Sequence, residues 1–164
     1  MQGCASIATF SARLYQSRKQ RFRSREEAAE YMPVCSRLLD DYETGKGVPT
    51  ADMALAMSEA LEDPILRRTY CTTVCPIGAK HQQPVRVDEL PQLAIRLVKE
   101  LQDVVDKQKA FIGISFDGRV ESHEIAEFLD FARELRELKC AVEALELWVE
   151  TELETKKETA IAAI

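Results

Sequence analysis

The 164-residue sequence predicts an all-α protein in which five short N-terminal helices are followed by a long antiparallel helical hairpin of coiled-coil character. Three observations carry this. Between Ser24 and Pro49 (SREEAAEYMPVCSRLLDDYETGKGVP), capping and stop signals outline two short helices around a tight turn. From Leu90 onward, apolar residues recur at alternating spacings of four and three over two long stretches. The composition, 46% hydrophobic and 30% charged, is that of a folded, soluble, helix-rich chain.

Residues 1–6 carry no pattern. Ile7, Phe10 and Leu14 sit at helical spacing, which predicts a first helix from Ala8 to about Gln20 with one apolar face. Ser24 is placed to cap a second helix, and Glu27, three residues on, completes a capping box. Ala28, Ala29 and Met32 give that helix a small apolar face before Pro33 stops it. Val34, Leu38, Leu39 and Tyr42 mark a third helix, ended by Thr44-Gly45-Lys46-Gly47. Thr50 opens a fourth, with Asp52 at its positive end and Met53, Ala54, Met57 and Leu61 closing the core. Pro64 opens a fifth, Ile65 to about Val74.

These elements predict one domain over residues 7–75, and residues 76–89, with two prolines, a glycine and no periodicity, read as a linker. The hairpin spans residues 90–155, and the tail 156–164 is expected to fray. Its first helix carries Leu90, Ala94, Leu97, Leu101, Val104, Gln108 and Phe111 at heptad spacing. The second carries Phe128, Phe131, Leu135, Leu138, Val142, Leu145 and Val149, with Trp148 alongside. A single hairpin buries only part of such seams, so the eight residues just named on the second helix are the expected dimerisation surface.

Charge is unevenly spread. Arg13, Arg18, Lys19, Arg21, Arg23 and Arg25 lie between Thr9 and Arg25 with no acidic residue among them, whereas Glu121 to Glu158 is strongly acidic. The basic cluster is either a phosphate-contacting edge or a solvated helix face that balances acids downstream. The net charge of −6 argues against unspecific nucleic-acid affinity.

The Ser24–Pro49 stretch resembles the helix-turn-helix of the Cro/CI-type (XRE, lambda-repressor-like) family. The matches are Glu26-Glu27-Ala28-Ala29 in the first motif helix, and Val34 and Leu39 as inward positions of the second. Tyr42-Glu43-x-Gly45 with Pro49 matches the exit, and Met53, Leu55, Met57 and Leu61 the next core helix. The resemblance covers roughly residues 8 to 70. It implies a sequence-specific DNA-binding transcriptional regulator, a repressor in the first instance, gripping double-stranded DNA as a homodimer. By the same resemblance Arg25 faces the DNA backbone, Ser36 and Arg37 reach base edges, and Arg37 pairs with guanine. With Arg21, Arg23, Asp40 and Lys46 these form the candidate contact set.

Two departures point to a second reading. Asp40 and Asp41 stand where the family carries polar or basic residues, and Cys35 replaces the usual serine or threonine cap. They keep open an interaction module or inhibitor that retains the fold but docks on a protein partner, through the acidic hairpin.

No nucleophile elbow, phosphate loop or supported carboxylate pair is present, so no enzyme, cofactor or metal is expected. Cys71 and Cys75 lie four apart ahead of His81, a spacing unlike that of closed zinc sites; buried apolar cysteines or a redox pair are the other readings. The turn from Gly113 to Glu124 mimics the second half of a calcium loop but lacks its first acidic ligands. No membrane span or secretory signal is expected, and five cysteines without a dense framework suggest a reducing cytoplasm.

Overall fold

A computed structural model describes residues 3–116 and 118–154. The expected fraying tail beyond Thr155, Asp117, and the side chains of Cys4 and Ile7 lie outside the described residues. Within them every regular element is helical, and the protein is all-α as the sequence predicts. It divides into two compact units between Pro84 and Val85.

The first unit holds α1 (Gly3–Arg21), α2 (Arg25–Tyr31), α3 (Ser36–Glu43), α4 (Ala51–Ala60), α5 (Pro64–Thr73) and α6 (Pro76–His81). The local signals account for the helix ends. The Ser24 hydroxyl accepts from the Glu27 amide at 3.1 Å, and the Glu27 carboxylate accepts from the Arg23 amide at 2.8 Å. Thr50 caps α4 through the Met53 amide, and Asp63 caps α5 through the amides of Ile65 and Leu66. Cys35 makes no side-chain cap bond to α3, in keeping with the weakness of thiols as acceptors. Gly45 takes φ +73°, the left-handed conformation that ends α3.

Phe10, Leu14, Leu39, Met57 and Leu66 are the largest fully buried side chains of this unit. Each contributes about 1.5–3 kcal/mol by leaving water. Polar ties fix the angles: Ser11 Oγ donates to the Tyr42 carbonyl at the end of α3 (2.6 Å), and Tyr70 Oη donates to the Pro49 carbonyl (3.1 Å).

Helix α6 occupies the start of the span expected to be a linker. The Cys75 thiol accepts from the Gly78 amide at 3.4 Å and Pro76 sits in the first turn, so residues that read as breakers start a helix. A Cβ on Gly78 would lie 2.1 Å from the Cys71 carbonyl oxygen, so only glycine lets α6 pack this tightly on α5.

The second unit pairs α7 (Leu90–Ser115) with α8 (Ile125–Val149), which continues as a π-helical segment, Glu150–Glu154. Lys107 meets Asp130 and Glu134, while Phe111 stacks on Phe131 at 4.3 Å and tilts against Phe128 at 5.9 Å. As residue numbers rise along α7 they fall along α8, so the pair is antiparallel. Leu93 and Ile114 are buried on α7, with Leu97, Val104 and Phe111 half-buried between them. That inner seam also carries Glu100 and Lys107. Leu90, Ala94, Leu101 and Gln108, expected in the same seam, are exposed. No helix among the described residues is long and apolar enough to cross a membrane.

Candidate nucleic-acid interface

At 100° per residue, Leu39, Tyr42 and Glu43 of α3 share one side, leaving Arg37, Asp40, Asp41 and Thr44 on the other, with Ser36 at the edge of the buried side beside Glu43. The structure follows this division. Leu39, Tyr42 and Glu43 are buried, Arg37 and Thr44 are exposed, and Ser36, Asp40 and Asp41 are half-buried. The four residues Met32 to Cys35 join α2 to α3, with Met32 and Val34 turned into the core. The outer face of α3 is therefore presented on a rigid base.

The basic cluster is divided by its partners. Arg18 donates to both carboxylate oxygens of Glu43, at 2.5 and 3.2 Å, and the two side chains are 5% and 1% exposed. This buried pair ties α1 to α3. Arg25 donates to the same carboxylate at 2.7 Å and lies 3.0 Å from Asp40. The hydrogen bond to Glu43, then the nearby charges of Glu43 and Asp40, raise the Arg25 pKa against the opposing effect of burial. Arg13 forks onto Asp63 with two 2.7 Å bonds, and Ser17 donates to the same carboxylate. Burial pushes the Asp63 pKa up, but the bonds from Arg13, Ser17 and the Leu66 amide outweigh it and hold the carboxyl below its usual value. Arg21 pairs with Glu62, which holds a left-handed φ of +50° between α4 and α5.

Of the seven sequence-predicted contact residues, Arg23, Arg37 and Lys46 are exposed and make no ion pair among the described residues. Arg21 and Arg25 are engaged, Asp40 is partly neutralised by Arg25, and Ser36 is half-buried beside Arg37. Lys19 lies over the Tyr15 ring at 5.0 Å, and its hydrogen bond and charge lower the tyrosine's pKa. The sequence reading passed over the Arg18–Glu43 and Arg13–Asp63 pairs, whose partners are 25 and 50 residues apart; no local signal announces them.

The expected dimerisation residues divide in the same way. Phe131 is buried, and Phe128, Leu138, Leu145 and Trp148 are half-buried, whereas Leu135, Val142 and Val149 are exposed.

Cys71, Cys75 and His81 form no convergent ligand group among the described residues. One acidic group does converge: ligand oxygens of Glu100, Asp103 and Glu134 lie within 4.8 Å of one another. The ammonium groups of Lys99 and Lys107 and the Arg133 guanidinium, 3.0 Å from Glu134, already neutralise it.

No protein-family model, no curated protein and no solved structure matches this chain.

Proposed function

We propose that the protein is a sequence-specific DNA-binding transcriptional regulator of the Cro/CI type, a repressor in its simplest form, working as a cytoplasmic dimer held by its helical hairpin. One observation carries the reading: Arg37 stands on the outer face of a short, well-braced helix, exposed and without an ion-pair partner among the described residues. A guanidinium so placed is suited to the two acceptors of guanine in a major groove. Ser36 beside it, and Arg23 and Lys46 nearby in sequence, supply hydroxyl and cationic contacts to base edges and phosphates. Regulation then needs no catalysis, because occupying an operator blocks or recruits polymerase.

The internal ion pairs limit how electrostatic this binding is. With Arg37 on a base edge and Arg23 and Lys46 as the phosphate-facing cations, log K should fall with log salt at a slope of about −2 per protomer. Selection from random duplexes, followed by titration at two salt concentrations, tests the proposal. Arg37→Ala should relax base preference, whereas Arg23→Ala should weaken every duplex alike. If selection enriches no motif, the reading fails.

A second reading, a module that docks on a protein, is favoured by one feature. The outer face of α3 carries two carboxylates, Asp40 and Asp41, against one free arginine. An intact interaction with a protein partner after Arg37→Ala, with no duplex bound, would favour it.

A further inference from the structure

The hairpin keeps an apolar stripe that its own pairing does not cover. On α8, Leu135, Lys139, Val142, Glu146 and Val149 follow one another at spacings of four, three, four and three, which places them on one side of the helix. All five are exposed, with Leu135, Val142 and Val149 at 44%, 39% and 38%. Ala141 and Ala144, both buried, mark the other side of the same helix. A heptad-spaced stripe is a surface shaped for another helix.

We infer that the stripe is covered by the same stripe of a second copy, the two α8 helices running antiparallel about a two-fold axis near Val142. The charges within the stripe select this occupant and this direction. A parallel pairing would set Lys139 on Lys139 and Glu146 on Glu146 of the second copy. An antiparallel pairing with Val142 level with its own counterpart sets Leu135 opposite Val149, and brings Lys139 beside Glu146 twice over, by symmetry. In the same register Arg136, flanking the stripe, comes within a turn of Glu150 of the other copy. Sliding the pairing by one heptad either way brings Lys139 against its own counterpart, or Glu146 against its own. Within the protomer Lys139 lies 3.7 Å from Glu143, and Glu146 makes no ion pair among the described residues, so both can reach across. The inference rests on the proposed dimer and adds to it the face and the direction. It also replaces, as the dimer contacts, Phe128 and Phe131, which pack on Phe111 of the same hairpin, and the half-buried Leu138, Leu145 and Trp148.

The test is sedimentation of the full chain with Lys139→Glu and Glu146→Lys, each alone and mixed. Each single change turns two attractions into two repulsions, and the dimer Kd should rise roughly tenfold. An equimolar mixture should recover the dimer as a heterodimer, since the K139E carboxylate of one chain then meets the E146K ammonium of the other. Both residues lie on an exposed helix face and both replacements are good helix formers, and circular dichroism checks that helix content is kept. Leu129→Arg, exposed but off the stripe, should leave the dimer unchanged. A wild-type chain that stays monomeric at high concentration overturns both the dimer and this face. A wild-type dimer indifferent to the charge reversals overturns the face alone, leaving dimerisation through another surface.

Discussion

Glu43→Gln should be among the most damaging single changes in the first unit. The Glu43 carboxylate is 1% exposed and takes three donor contacts, two from Arg18 and one from Arg25. The amide keeps one acceptor oxygen but no charge, so the Arg18 guanidinium, itself 5% exposed, is left buried without its counter-ion. Breaking one side of a buried pair costs about 3–5 kcal/mol. The retained oxygen puts the expected loss near the lower end, about 3 kcal/mol, a large share of a small domain's roughly 5–15 kcal/mol. The only tryptophan, Trp148, lies in the other unit, so its fluorescence does not report this loss. Native-state amide exchange of the α1 and α3 backbone does. The companion change, Arg18→Met with Glu43→Leu, removes both charges together and should restore most of the protection. A loss below about 1 kcal/mol for Glu43→Gln would refute the claim that this pair fastens α1 to α3.

Asp63 gives a pH dependence. Its pKa is lower folded than unfolded, so its contribution is fully present above the unfolded carboxylate value of about 4 and fades as pH falls through the lower folded value. Asp63→Asn should therefore flatten the acid limb of the first unit's stability curve, read by exchange or denaturant titration at stepped pH. Gly78→Ala would place a methyl carbon 2.1 Å from the Cys71 carbonyl oxygen, which must displace α6; exchange protection of residues 79–82 should collapse while that of α3 is kept.

Much of the fold was legible because its signals are local. Ser24, Glu27, Pro33 and Thr50 each act within four residues, and the helices they bound appear where the sequence places them. Helix α6 was missed because Pro76 and Gly78 signal interruption by residue type, whereas here proline begins a helix and glycine admits the backbone of α5. The hairpin's two long helices were legible, but their phase was only partly so. Leucine and valine occur on more than one face of each helix, and the inner seam includes Glu100 and Lys107, which an apolar count passes over. In the candidate site, helical periodicity gave the outward side of α3. It gave nothing of the pairs that engage Arg13, Arg18, Arg21 and Arg25, because those depend on carboxylates brought in by other helices. A cluster that reads as a cationic edge is thus largely a set of internal fasteners.

The most direct measurement is the affinity of the full chain for its selected duplex, and for one altered at the enriched guanine, with and without Arg37→Ala. Wild type is expected to distinguish the two duplexes by about 1–3 kcal/mol, and Arg37→Ala to erase most of this difference. Equal affinity of wild type for both duplexes, or discrimination that survives Arg37→Ala, would contradict a reading head built on this arginine.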